Sequence, residues 1–367
     1  MAKFIKHNLI IISFFICIFG ALLVFGMSSK ETTSASERRK LATFPKLTWE
    51  KVQDESFMEE LEVYFLDHFP FRDGLRRVKA YFAYDVLGQL ENNDIYMADG
   101  YAGKLEYPLK ENSVIKAADK MQQIKELYFP QGEVYYAIVP DKNYFLAEQN
   151  GYPSMDYDKL ESLMQEQLSD MTYIDIWDTL TIEDYYKTDT HWRQECLQET
   201  VERMGAQMGF AQYLSNDYEV QEIPEFYGVY YGQSALPLSA ESLYYLTSDV
   251  TKAATQWSLE TNETKPIYIS EEEAGLDKYQ IFLSGAQALQ RIESPLAKTD
   301  NRLIIFRDSF TSSLAPLLLE AYQEIILIDT RYISMDLLGE YVDFAQTNTQ
   351  FLFLYNTLLL NNSSMLK

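Results

Sequence analysis

Leu9 to Met27, LIIISFFICIFGALLVFGM, is a run of 19 consecutive residues without a charge. No other feature limits the folding of this chain as much, because such a run must be enclosed on all sides by protein or leave water for lipid. As a helix rising 1.5 Å per residue it reaches about 28 Å, close to the thickness of a bilayer's hydrocarbon core. Ser13, its polar member, can return its hydroxyl to the helix backbone. The run therefore reads as a single-pass anchor at 9–27 behind a cytoplasmic head at 1–8, where Lys3, Lys6 and His7 supply the inside charge. Lys30, Arg38, Arg39 and Lys40 lie on the far side and weaken that signal. A cleaved signal peptide is the main alternative, but its apolar core usually spans about 7 to 15 residues and ends in a small-x-small site. Val24, Phe25, Gly26 and Met27 make a poor site of that kind. A buried core helix is the third reading. The first places everything after residue 27 outside the cytoplasm, as a single-pass protein of the cell membrane.

Composition narrows what the exported part can do. The net charge of -24 opposes attraction to nucleic acid or to an anionic lipid surface, both of which are polyanions. Apolar content of 47% against 23% charged is that of a globular protein. Of the two cysteines, Cys17 lies in the anchor and Cys196 in a predicted helix, so no disulfide forms within the exported part of one chain. Cys17 also lacks the small residues before it that a lipidated cysteine needs. Of the three histidines, only His68 and His191 follow the anchor, which excludes a His-rich zinc site and leaves a carboxylate-rich cation site open. No cofactor motif is present, and no metal or cofactor is expected.

Residues 28–40 are polar and read as a linker. Residues 41–110 read as a helical N-terminal section. There Phe57, Leu61, Tyr64 and Phe65 recur at helical spacing, Pro70 ends that helix, and a second runs from Arg72 to Leu87. From 111 to 360, apolar runs at 134–140, 172–176, 281–283, 303–306, 324–329 and 351–355 alternate with segments of helical period. Strands spaced by helices predict an α/β domain with a parallel sheet flanked by helices. Residues 212–278, rich in Tyr, Glu, Thr and Ser, read as an irregular or antiparallel insertion at the sheet edge.

Two segments have the composition of a nucleophile and its base. In RLIIFRDSFTSSL, an apolar strand ends at Phe306 and a helix begins near Thr311, which sets Ser309 on a sharp strand-to-helix turn with its own N–H near a developing oxyanion. The plain alternative is helix capping by Asp and Ser. In DYYKTDTHW, Asp189 precedes His191 by two residues; imidazole titrates near the working pH, and a carboxylate can fix its tautomer. That pairing needs a turn, since residues two apart on a helix do not share a face. The alternative is an N-capping Thr or Asp, a first-turn histidine and a packed Trp192. Asp67 and His68 end an amphipathic helix and read as structural. Tyr227, Tyr230 and Tyr231 are candidates for stacking on sugar rings.

TDTHW at 188–192 resembles the Asp-x-His-Trp signature of the DHHW family and of the related alginate O-acetylation proteins, a branch of the SGNH-hydrolase-like superfamily. SERRKLATFP at 36–45, YFLDHFPFRDGLRR at 64–77, VPDKN at 139–143 and FRDSF at 306–310 resemble further family blocks in the same order, so the resemblance covers roughly 36–357. It implies a Ser-His-Asp triad of Ser309, His191 and Asp189, and an SGNH-like parallel sheet. It also implies Gly285, in FLSGAQ, as a second backbone oxyanion donor beside Ser309, with Ser284 standing where a first glycine is expected. Arg307 replaces the small residue usual before Asp-Ser. Arg331 and Asn356 resemble late family positions near the core; with Trp192 they are candidate substrate contacts, although Arg331 is better suited to a salt bridge than to a substrate contact.

The function that the resemblance implies is O-acetyl transfer to a cell-envelope or secreted polysaccharide, with the acyl group delivered by a membrane-bound O-acyltransferase partner. The same triad supports hydrolysis by a carbohydrate esterase. A non-catalytic glycan-binding or scaffold protein of the cell surface is the third reading, and it would separate Ser309 from His191.

Overall fold

The computed structural model describes residues 2–28, 30–34 and 36–367, with side chains from residue 8 onward. The charges expected of the cytoplasmic head, on Lys3, Lys6 and His7, lie outside the described side chains. The chain forms two compact units, one of residues up to 92 with 231–237, the other of residues 93–230 and 238–367.

In the first unit, helix α1 (Ala2–Met27) contains the apolar run. Its segment Asn8–Met27 is, among the described residues, the one helix long and apolar enough to cross a membrane, and none of it is buried. Helices α2 (Ser56–Asp67) and α3 (Arg72–Tyr81) follow, the second continued by a wider turn over Phe82–Val86. Their polar residues are tied together. Asp67 accepts from Arg39 and from the Ala42 N–H, which hold its carboxyl down to about 2, and Glu37 pairs with Arg72 at 2.5 Å and Arg76 at 3.3 Å. Asp67 and His68, read as structural from sequence, do bind here, His68 through Nε2 to the Ala42 carbonyl.

The second unit is built on an eight-stranded sheet. Helix α4 (Glu111–Tyr128) leads into strand β1 (Val134–Val139), and helix α5 (Tyr157–Gln167) into β2 (Thr172–Tyr173). Helix α6 (Gln198–Met208) precedes β3 (Thr255–Ser258), β4 (Thr264–Pro266) and β5 (Leu289–Glu293). The last strands are β6 (Arg302–Arg307), β7 (Glu324–Ile328) and β8 (Thr349–Asn356). Their order is β4-β3-β5-β7-β6-β8-β1-β2. From β7 to β2 every pairing is parallel. Those strands carry apolar runs without alternation, and β1 and β6 are buried at all six positions, as a sheet covered on both faces requires.

The expected parallel sheet, with its irregular or antiparallel edge insertion, is corrected in one respect at its other edge, where antiparallel strands join the sheet itself. Strands β4, β3 and β5 run antiparallel, so the sheet is mixed. The stretch at 281–283 is not a strand: Lys278–Ile281 forms a single 3-10 turn, capped by the Asp277 carboxylate accepting from the Tyr279 N–H. Three apolar residues are too few to distinguish a strand from a packed turn. The segment 212–278 supplies β3 and β4 as well as an antiparallel pair, Glu219–Phe226 with Glu241–Thr247.

Parallel pairing brings four chain turns to one edge. Beyond β6 come Asp308 and Ser309, beyond β1 Asp141 and Lys142, beyond β7 Asp329 and Arg331, and β8 ends on Asn356. The carboxyl edge of an open α/β sheet is where such folds place their ligands.

Candidate active site

Ser309 follows β6 on a turn that Asp308 fixes. One Asp308 oxygen accepts from the Phe310 N–H at 3.0 Å and the other from the Asn356 N–H at 2.7 Å. Burial pushes this carboxyl above its ordinary range, while Arg331 and those two donors oppose the shift. Among the described residues the Ser309 N–H makes no hydrogen bond, and the chain turns at once into helix, with the Ser312 N–H donating to the Ser309 carbonyl.

The loop at 185–192 carries His191. It is not helical: Tyr185 bridges Trp192, and the Tyr186 N–H donates to the His191 carbonyl, so Asp189 and His191 sit in a closed turn. His191 Nδ1 is 2.6 Å from an Asp189 oxygen that also accepts from the His191 N–H, and Nε2 is 2.7 Å from Ser309 Oγ. The second Asp189 oxygen accepts from the Val229 N–H at 2.7 Å. Asp189 is buried, His191 nearly so, and Ser309 is partly open. The structure thus brings the three residues predicted from sequence into one hydrogen-bonded chain.

Several neighbours hold that chain in place. The Glu241 carboxylate accepts from the Lys187 and Thr188 N–H groups and the Thr188 hydroxyl. Lys142, wholly buried, donates from Nζ to the Tyr186 carbonyl at 2.9 Å and lies 4.9 Å from the Tyr230 ring centre. Burial brings its ammonium down to about 7, against the attraction of Asp189, Glu241 and Asp141. The Tyr279 ring stacks on His191 with centroids 3.9 Å apart and planes 7° off parallel, and its hydroxyl donates to Ser313 Oγ. Arg307, also buried, donates to Ser312 Oγ and Gln290, which braces the helix after Ser309 against β5. Lys142 lies in the quoted VPDKN block, and Arg307 stands out as a departure from the family pattern; Tyr279 has no local signal, since only tertiary folding sets it against His191.

Other predicted contacts fall differently. Trp192 is fully buried and cannot meet a glycan; its Nε1 donates to the Phe310 carbonyl and Ser313 Oγ, joining the loop of His191 to the helix after Ser309. Tyr230 is buried, with its hydroxyl donating to Thr190, so it offers no stacking face. Tyr231 belongs to the first unit, where its hydroxyl accepts from Arg77. Tyr227 is exposed. The Gly285 N–H already donates to the Phe282 carbonyl at 3.1 Å, and so is not a vacant oxyanion donor. Arg331 and Asn356 do line one open cleft with Ser309, of about 660 Å³. Arg331 is held there by a two-point pairing to Asp329, while both ends of the Asn356 amide are bonded to backbone. Tyr107, exposed, stands in the same cleft.

A DHHW family protein from Eubacterium siraeum superposes with a TM-score of 0.60 at 20% identity, over 75% of this chain and 95% of that one. The chain has the DHHW-type fold. Bacillus cereus PatB1 shares that fold at a TM-score of 0.54 and 20% identity, over 72% of this chain and 96% of PatB1. PatB1 carrying a sulfonyl adduct gives 0.55 at 19% identity, covering 72% and 95%. Neither a protein-family model nor a curated protein matches the sequence. The DHHW-type fold therefore stands on shape alone.

Proposed function

We propose that this chain is a serine-dependent acyltransferase that O-acetylates a polysaccharide of the cell envelope or a secreted polysaccharide. The observation that carries the reading is the continuous chain from Asp189 through His191 to Ser309 Oγ, with links of 2.6 and 2.7 Å. A serine hydroxyl is a poor nucleophile until a base takes its proton, and the base acts only within hydrogen-bond reach.

In the first half-reaction His191 Nε2 takes the Oγ proton as Oγ bonds to the acetyl carbonyl carbon. The carbonyl oxygen becomes an oxyanion, which the Ser309 N–H is free to meet. The carbonyl re-forms as the donor's leaving oxygen departs with the proton from His191. In the second half-reaction a sugar hydroxyl gives its proton to His191 and attacks the acetyl-serine; the proton then returns to Oγ as the acetylated sugar leaves. Asp189 keeps the imidazole in the tautomer with Nε2 facing serine and stabilises the imidazolium in both halves.

Transfer, rather than hydrolysis, rests on the resemblance to the DHHW and alginate O-acetylation proteins. On that reading the acyl group arrives from a membrane-bound O-acyltransferase, and α1 tethers the enzyme beside it with the catalytic unit outside the cytoplasm. The structure of PatB1 with a sulfonyl adduct suggests a direct test, because sulfonyl fluorides are captured by activated nucleophiles. Wild-type protein should gain one sulfonyl group in intact mass and turn over an activated acetyl ester, and Ser309→Ala should do neither. An unchanged rate in Ser309→Ala would reject the nucleophile. Acetylated glycan in excess of free acetate would mark a transferase, and free acetate alone an esterase.

A further inference from the structure

The amphipathic pattern of α3 is inverted. A surface helix normally turns its apolar stripe to the core and its charges to water. In α3 the partly covered side carries Arg72 and Arg76, both paired with Glu37, and Arg76 also donates to the Gly232 carbonyl. Ala80 and Ala83 complete that inner side. The outer side carries Leu75 and Val78, which share one face of the helix; Phe71 just before it, and Phe82 and Val86 in the wider turn after it, continue the apolar surface. All five are exposed, from 50% at Leu75 to 82% at Phe71. Phe65, Leu66 and Phe69 of α2 and its following turn add an exposed hollow of about 480 Å³ whose surface is mostly apolar, although Glu55, Glu59 and Glu62 also line it. An apolar surface of this extent facing water is unusual for a protein whose core is elsewhere well buried.

What covers it follows from α1. The ring of Phe25, in the last turn of the apolar helix, lies 4.9 Å from Phe65 and 6.2 Å from Tyr64, centre to centre. The exposed face of α2 therefore begins where the membrane-length segment Asn8–Met27 ends. Trp49, also exposed, is of the residue type that settles at the headgroup level. We infer that the outer faces of α2 and α3 are seated in the interfacial layer of the same bilayer that α1 crosses, with lipid as their occupant. The inward arginines and outward phenylalanines are then each in their own solvent. This seating is independent of the catalytic reading.

The test uses the full chain in liposomes, with Cys17→Ala and Cys196→Ala as background. A bimane label is placed on Val78→Cys, on Phe82→Cys one turn further, and on Leu296→Cys, exposed in the second unit. Liposomes of phosphatidylcholine brominated near the headgroup are compared with unbrominated ones. Both α3 labels should lose about half or more of their emission to the bromines, and the Leu296 label should keep its emission. Two sites on α3 keep the result readable if one variant fails to fold. If both α3 labels are quenched no more than the Leu296 label, the inference is overturned. Aqueous iodide then reports the reason: quenching shows the face in water, and protection shows a protein covering it.

Discussion

Gly228→Ala is the substitution whose effect the structure defines most sharply. A methyl group at Gly228 would lie 2.2 Å from the Asp189 nitrogen and from the Thr188 carbonyl carbon and oxygen, all backbone atoms that no rotamer change can remove. Ordinary contact begins at 3.4 Å, so one of the two loops must retreat by 3.4 minus 2.2, or 1.2 Å. The Gly228 N–H to Thr188 Oγ1 and Val229 N–H to Asp189 bonds, both 2.7 Å, would stretch to about 3.9 Å, beyond hydrogen-bond reach. Overpacking of this kind costs about 1 to 3 kcal/mol. A shift of about 1 Å in catalytic geometry costs about 100-fold in rate. Turnover of 4-nitrophenyl acetate by the full chain should fall by that order, with a lowered melting temperature. Gly74→Ala is the control, because its added methyl meets nothing within 4 Å. Wild-type turnover in Gly228→Ala would refute the argument that residues 228–229 hold Asp189 in register with His191.

Asp189→Asn should leave the fold in place and reduce kcat by about 10⁴-fold, since an amide favours the wrong imidazole tautomer; a steady-state profile with KM little changed checks it. Trp192→Phe removes two hydrogen bonds between the base loop and the nucleophile's helix, and should cost about 1 to 3 kcal/mol in denaturant unfolding. Lys142 has a folded pKa of about 7, below its unfolded value of 10.5, so its neutral form favours folding. That contribution is complete above about pH 10.5 and is lost as pH falls through 7, with a limiting slope of about 1.4 kcal/mol per pH unit between them. Unfolding of wild type in detergent should show the slope, and Lys142→Met should flatten it. Equal pH dependence in the two would assign the ammonium to water instead of the interior.

Much of the site was legible because its parts are local. Asp189 and His191 share one turn, and Ser309 follows an apolar strand at a spacing that residue type alone reveals. The helices of the first section and four of the five strands that pair in parallel were also legible, since long apolar runs and helical spacing are local signals; only Thr172–Tyr173 was shorter than its run suggested. Direction was legible only in part: 212–278, read as an irregular or antiparallel insertion at the sheet edge, supplies β3 and β4, but nothing in the residues of β5 marks it as antiparallel. The tyrosines fared worst, because aromatic rings serve equally in cores and on binding faces, and Tyr230 proved to be core.

The sequence by itself determined an apolar helix of membrane length, an α/β domain, and the residue types of a nucleophile, a base and an acid. Tertiary structure alone decided that His191 reaches Ser309 across 118 positions of chain, that Tyr279 stacks on that imidazole, and that Lys142 lies beneath the loop. It also decided that α3 turns Arg72 and Arg76 inward, where the sequence shows only a helix. Periodicity reports which residues share a face, and only the packing of Glu37 and Gly232 against that helix reports which face meets protein.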